Sequence, residues 1–390
     1  MATAAGAAIE DMRTDNPFAL YKRVGAALAL AIAFVSLAEF YWNAVAPTDR
    51  DFVSFWGAAR MVLAGTPALA YDLDALHALQ SGSVTFSGGK MPFPYAPAFL
   101  LPLAPFALLS FPVGMAAWVA TTFAIYFTVA RRMYPNAGLL AAAYPAVFVN
   151  AAIGQNGFIM AALFIGGLLL LPKRPFAAGL LLGCLIVKPQ LGLMLPVALL
   201  AAREWRAIVG AAVSSIGVLL LGLLLFGWQA SSAWLAQMPL YVSIARDGLV
   251  GWHKLATVYA AVRQLGVPET AAFAAHLTVA AAATFAVWRT WRSDAPFGAK
   301  AAMLAAATML ISPYLFLYDT LFLVVPFLWL ASARANRALL IALWFLPFVS
   351  IVQIATVPGL LNLAPIVPIA LTLLVWRHAR SGLESRHRTV

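Results

Sequence analysis

Runs of apolar residues, most of them close to the length that crosses a bilayer, recur from residue 24 to residue 377 with short basic links between them. A helix needs about 20 such residues to cross the hydrocarbon core. By that ruler the sequence predicts spans near 24–46, 112–130, 137–153, 157–171, 176–187, 190–201, 207–226, 268–289, 298–312, 314–330, 338–354 and 363–377. The expected fold class is an all-α polytopic membrane protein with about twelve transmembrane helices, forming one membrane-embedded domain over 1–390. A soluble fold is excluded because charged residues make up only 10% of the chain and hydrophobic ones 63%. Soluble domains carry about 25% charged residues, and this chain has too few to clad a water-facing surface. Segment 96–110 is apolar but short and broken by Pro97, Pro102 and Pro105. It reads as a half-span or an interfacial helix packed against protein.

The net charge of +11 would suit a nucleic-acid partner, but its distribution points elsewhere. Arg13, Lys22 and Arg23 precede the first span. Arg131–Arg132, Lys173–Arg174, Arg203 with Arg206, Arg289 with Arg292 and Lys300, Arg334 with Arg337, and the tail from Arg377 to Arg388 follow at alternate loops. Cytoplasmic loops collect Lys and Arg, so the surplus is an orientation signal, and no nucleic-acid partner is expected. The expectation is a cytoplasmic (inner) membrane protein with residues 1–23 and 378–390 cytoplasmic. The first 20 residues lack the short apolar core and small-residue site of a cleaved signal peptide.

Two external loops are then long, about 47–95 and 227–256. The first should hold a helix ending near Leu63 before Gly65, then a short helix capped by Asp72 or Asp74. The second has a Trp-rich amphipathic segment (Trp228, Trp234, Tyr241) suited to the headgroup level, followed by Trp252-His253-Lys254. Membrane lipids are therefore partners by construction. The single cysteine, Cys184, allows no internal disulfide and no Cys-rich metal centre.

An ionisable residue in a membrane span costs about 2.5–3.5 kcal/mol on insertion scales, so each one needs an account. Lys188 lies between the half-length apolar runs 176–187 and 190–201, beside Pro189 and Gln190. It reads as a cation for an anionic group, most simply a phosphate, against the plainer reading of a snorkelling lysine. Asp49 and Asp51 follow the first span directly; a carboxylate there suits a general base, a metal ligand or a helix N-cap. Function is favoured for Asp51, and capping or a supporting role for Asp49. Asp319 falls five residues into a span beginning near Tyr314 and should face a polar cavity. Asn150, Gln155 and Asn156 sit at an external turn where amides can bind sugar hydroxyls, although such a turn needs no ligand. His253 and Lys254 suit phosphate binding or proton transfer, or an ordinary wet loop equally well. Glu39 is expected to pair with an arginine such as Arg60. No Gly-rich phosphate loop or dinucleotide fingerprint is present, which argues against a nucleotide donor bound in the usual way.

Several of these pieces together resemble a known family. Asp51-Phe52, then Phe55-Trp56-x-Ala58-Ala59, then Gly65 and Tyr71-Asp72, resemble the first external loop of the family 87 glycosyltransferases. These are polyprenyl-phosphate-mannose-dependent mannosyltransferases of the membrane-embedded GT-C class. Pro94-Tyr95-Ala96-Pro97 is similar to that family's Tyr-Pro-Pro segment, and Gly154-Gln155-Asn156, Ala178-Gly179-x3-Gly183 and Lys188-Pro189-Gln190 to its central block. Ser312-Pro313 before Asp319 resembles its late motif, although Tyr318-Asp319 stands where many members carry histidine.

The resemblance implies a GT-C-like fold and an inverting transfer from a lipid-linked sugar phosphate to a lipid or glycan acceptor outside the membrane. In such a displacement a carboxylate takes the acceptor's proton while the anomeric carbon becomes oxocarbenium-like. Asp51 is the candidate base. The leaving polyprenyl phosphate wants positive charge, for which Lys188 is the first candidate, with Lys254, His253 and Arg60 as helpers. Asp49, Tyr95, Asn150, Gln155, Asn156 and Asp319 are candidates for sugar or acceptor binding. The scheme calls for no cofactor and no metal, although Asp49 and Asp51 would be able to hold a divalent ion. The competing class is a secondary transporter of a small anionic solute or lipid-linked glycan, which shares broken helices and isolated membrane charges but should show an internal repeat. None is visible.

Overall fold

The structure, a computed structural model, describes residues 25–28, 30–35, 37–38, 42, 48, 50–86, 89–356 and 361–388. Asp49 and Glu39 lie outside the described residues, and with them the expected Glu39–Arg60 pair. The described residues are all-helical apart from two isolated β-bridges. The helices are α1 (Phe52–Leu63), α2 (Leu73–Ser81), α3 (Leu100–Ala107), α4 (Phe111–Met133), α5 (Gly138–Ala142), α6 (Pro145–Ile153), α7 (Gly157–Leu170) and α8 (Pro175–Gly183). They continue as α9 (Leu195–Ala201), α10 (Trp205–Arg246), α11 (Val258–Gln264), α12 (Glu269–Arg292), α13 (Phe297–Ile311), α14 (Val324–Ser332), α15 (Arg337–Thr356) and α16 (Ile366–Arg388).

Three helices, α4, α10 and α12, are long and apolar enough to cross a bilayer, and the bent pair formed by 135–142 and α6, turning through 54°, makes a fourth candidate. Several expected spans are instead broken into shorter apolar helices. Proline explains many of the breaks: it removes a backbone donor and biases the preceding residue away from helix. Pro145 opens α6 after the bend, and Pro189 opens a 3-10 turn directly after Lys188. The chain is a membrane protein, because its apolar surface has no other solvent. On α10, Val209, Val213, Ile216, Leu220 and Leu224 are all exposed, Leu224 by 80%.

Helix α10 corrects one expected boundary. It does not end at Phe226 but runs on to Arg246, with a single non-helical residue, Gly227 (φ 80°, ψ 172°), at the expected junction. The part before the break has about 22 residues, or about 33 Å, which matches a bilayer core of about 30 Å. Small residues let α8 lie directly on α10. A Cβ on Gly179 would stand 2.1 Å from the Ala207 carbonyl oxygen, one on Gly183 2.1 Å from Ser214 Oγ, and one on Gly210 2.2 Å from the Phe176 carbonyl oxygen. The Gly179-x3-Gly183 pattern is thus a close-packing seam of the kind membrane helices use.

The first loop folds against this frame. Helix α1 ends before Gly65 in the left-handed region (φ +77°), and Asp72, not Asp74, caps α2 by accepting from the Asp74 and Ala75 N–H groups. Segment 96–110 is a 3-10 turn and α3, with Pro105 inside the helix, packed on α1. Four successive carbonyls at 92–95 are each taken by a different side chain: Pro92 by Ser54 (2.6 Å), Phe93 by Tyr241 (3.0 Å), Pro94 by Trp234 (3.3 Å) and Tyr95 by Tyr71 (3.0 Å). Trp234 and Tyr241 come from beyond the Gly227 break, so the second expected loop is laid across the first.

Candidate active site

Asp51 occupies the position before α1, yet its side chain makes no capping hydrogen bond. Its Oδ2 accepts from Gln155 Nε2 at 2.9 Å. Gln155 is delivered by the turn between α6 and α7. Gly154 ends α6 in the left-handed conformation (φ +70°), which glycine adopts without strain, and a Cβ there would collide with Phe52 Cβ at 2.6 Å. The turn is therefore seated directly on the first residue of α1. Trp118 Nε1 donates to the Gly154 carbonyl (3.1 Å) and fixes it from a third side.

The amide of Gln155 has one orientation. Its Oε1 accepts from the Asn156 N–H (3.0 Å) and from the Tyr95 hydroxyl (3.4 Å), which leaves Nε2 for Asp51. Tyr95 is held in an aromatic cluster with Phe55 (centroids 5.4 Å apart), Phe93 and Phe99. Its hydroxyl lies among the Gln155 and Asn156 amides and feels the charges of both Asp51 and Asp319.

Lys188 is not the free cation that the sequence suggests. It sits where the 3-10 turns Cys184–Val187 and Pro189–Leu191 meet, as the half-helix reading expects, but it is buried. Its Nζ lies 2.5 Å from Asp319 Oδ1 and 4.5 Å from the centroid of the Tyr318 ring. Asp319 also departs from expectation. It does not lie inside a span starting at Tyr314; it is in the 3-10 helix Leu317–Leu323 that leads into α14, and its Oδ2 accepts from the Phe316 N–H (3.1 Å). Asn150 ties this segment to α6, donating from Nδ2 to the Tyr318 carbonyl (2.9 Å) and to the Ala146 carbonyl (2.8 Å).

Seven of the residues singled out from the sequence, Asp51, Tyr95, Asn150, Gln155, Asn156, Lys188 and Asp319, thus belong to one connected cluster drawn from five places in the chain. Tyr318 belongs to it as well and was missed; its ring beneath Lys188 has no signal in spacing beyond its place next to Asp319. The helpers do not join it. Arg60 is exposed, donates to the Ala107 carbonyl (3.3 Å) and stacks over Trp56. Lys254 is exposed and His253 half-buried, where burial and then the neighbouring Lys254 ammonium lower the imidazole's pKa. Their backbone does approach the site. Leu255 bridges to Phe316, Ala256 N–H donates to the Leu315 carbonyl (2.8 Å), and Thr257 Oγ1 to that of Pro313 (2.9 Å). A hollow of about 380 Å³ beside Arg60, lined also by Trp56, Ser83 and Ser110, shares no residue with the cluster.

Chemically the cluster offers one oriented, half-buried carboxylate, a buried ammonium–carboxylate pair, and several amides. No curated protein and no solved structure matches this chain. A family model does: that of glycosyltransferase family 87 matches residues 93–313, more than half of the chain, beginning at the Tyr95 segment, taking in the Gly154–Gly157 turn and Lys188, and ending just before Asp319. The chain accordingly belongs to glycosyltransferase family 87.

Proposed function

We propose that this chain moves a sugar, mannose by family resemblance, from a polyprenyl-phosphate donor to a lipid or glycan acceptor with inversion at the anomeric carbon. Family membership implies sugar transfer, and the donor, acceptor and mechanism are our reading. The observation that carries it is the Asp51 carboxylate, held by Gln155 rather than spent on capping α1, in the same cluster as the Lys188–Asp319 pair. Asp51 takes the proton of the acceptor hydroxyl as that oxygen attacks the anomeric carbon. The bond to the polyprenyl phosphate breaks, and the charge left on its oxygen is met by the Lys188 ammonium, shared with Asp319. The phosphate is a stable leaving group and needs no general acid. The basic loops favour an active site on the external face, with both termini cytoplasmic and about twelve membrane passages when half-length helices are counted.

The test is transfer of radiolabelled mannose from synthetic polyprenyl-phosphate mannose by the purified protein in membrane-derived lipid, beside Asp51→Asn. Label in a new product with wild type alone supports both the reaction and the base. Product with both proteins removes Asp51 from its role. Absence of product with mannose and with other lipid-linked sugars would overturn the reading.

A further inference from the structure

We propose that Asn156 recognises two adjacent hydroxyl groups of the transferred sugar and so determines which sugar the site accepts. This rests on the sugar-transfer reading above. Asn156 stands at the N-cap of α7, where an asparagine side chain ordinarily accepts an N–H from the first turn. Here it makes no such bond. The residue is fully buried (0% exposed), and neither Oδ1 nor Nδ2 has a hydrogen-bond partner of good geometry. A buried amide whose polar neighbour, the Tyr95 hydroxyl, forms no bond of good geometry with it is costly, and a helix end is the easiest place to relieve that cost. The chain keeps the amide unspent.

Its position gives the reason. Its own backbone N–H is satisfied by Gln155 Oε1, the same amide that orients Asp51. Its side chain lies against the Tyr95 hydroxyl, which is in the field of Asp51 and Asp319. The next residue, Gly157, has no side chain to interfere; a Cβ there would sit 2.2 Å from Asn150 Oδ1, itself an unpaired acceptor. The backbone carbonyl of Asn156 is bonded to the Met160 N–H, so the main chain of the turn is fixed. A carboxamide without side-chain bonds of good geometry presents one acceptor and one donor side by side. A phosphate engages only the donor, and a lone hydroxyl leaves one end unpaired. Two neighbouring ring hydroxyls satisfy both, one donating to Oδ1 and the other accepting from Nδ2. A neutral ligand also suits a cluster whose charges are already committed to the base and the leaving group.

The experiment compares kcat/KM for the intact donor and for donors lacking one ring hydroxyl at a time, with wild type, Asn156→Ala and Asn156→Ser. In wild type, removing either of two adjacent hydroxyls should cost about 10- to 100-fold, because a buried polar group is then left unpaired. In Asn156→Ala the intact donor should fall by a similar factor, and the same deoxy donors should cost less than about 3-fold more. Deoxy penalties of equal size in wild type and Asn156→Ala would overturn the proposal while leaving sugar transfer standing. A wild type that transfers from no polyprenyl-phosphate donor would sink the transfer reading, and the proposal with it. Thermal unfolding of Asn156→Leu in detergent supplies a readout independent of activity. Removing an amide whose two ends make no hydrogen bond of good geometry should raise Tm; a fall of several degrees would show that it holds the turn together and would overturn the proposal.

Discussion

Gln155 Nε2 meets Asp51 Oδ2 across 2.9 Å, although the two residues lie 104 positions apart in the chain. The contact depends on neither residue's own helix. It exists because Gly154 lets the α6–α7 turn press on Phe52, and because the other end of the Gln155 amide is committed to Asn156 and Tyr95. A carboxylate aimed in this way is set by the turn, and that dependence can be measured.

Replacing Gln155 by Leu should lower kcat by about 10- to 100-fold with little change in KM, since a misplacement of about 1 Å at a reacting group can cost that much. The effect should disappear in an Asp51→Asn background, where there is no base left to orient. A Gln155→Leu penalty that persists undiminished beside Asp51→Asn would mean that Gln155 acts on something other than Asp51.

The Lys188–Asp319 pair predicts a different pattern. Removing one partner leaves a buried charge alone, at about 3–5 kcal/mol, so Lys188→Met and Asp319→Asn should each lower Tm strongly. The double variant removes both charges and keeps an acceptor for the Phe316 N–H, so most of the Tm should return. Sugar transfer should not return, because the cation that meets the leaving phosphate is gone. Thermal melts and transfer assays on the three proteins decide this; a double variant that regains transfer would make the pair structural only.

These contrasts also mark what could be read from the sequence. The residue types were legible because ionisable and amide side chains are conspicuous among apolar spans, and Asp51, Lys188 and Asp319 stood out for that reason alone. Their partnership was not, because Lys188 and Asp319 are 131 positions apart and nothing local links them. Apolar run length marked the break at Lys188 between 176–187 and 190–201 but overstated continuity at 314–330, where a 3-10 helix precedes α14. At 226 it located the Gly227 break but not the helix that continues beyond it to Arg246. Arg60 was misjudged because a cation at the end of an amphipathic helix reads the same whether it faces a site or an aromatic ring.

His253 gives a pH prediction. Burial, and then Lys254, hold its folded pKa below the ordinary value of about 6.5. Between pH 6.5 and that lower value the unfolded chain binds the proton and the folded chain does not. Stability from this group is thus present above pH 6.5 and lost as pH falls through the folded pKa. His253→Gln should show a smaller drop in Tm between pH 7.5 and pH 5.5 than wild type. An equal drop in both would place the acid sensitivity in another group.

Two glycines separate backbone strain from steric fit. Gly65 and Gly154 both hold left-handed backbone, at φ +77° and +70°. A side chain at either costs about 1–2 kcal/mol for the conformation alone. At Gly65 nothing lies within 4 Å of an added Cβ, whereas at Gly154 the Cβ would meet Phe52 Cβ at 2.6 Å and Met115 Cγ at 3.3 Å. Gly65→Ala should therefore lower Tm modestly and leave kcat/KM for transfer unchanged. Gly154→Ala should lower Tm further and also reduce kcat, because relieving the clash lifts the α6–α7 turn from α1 and withdraws Gln155 from Asp51. Melting curves and transfer rates for the two variants side by side give the answer. If both lose stability equally and both keep full transfer, the seating of that turn on Phe52 does not position the carboxylate.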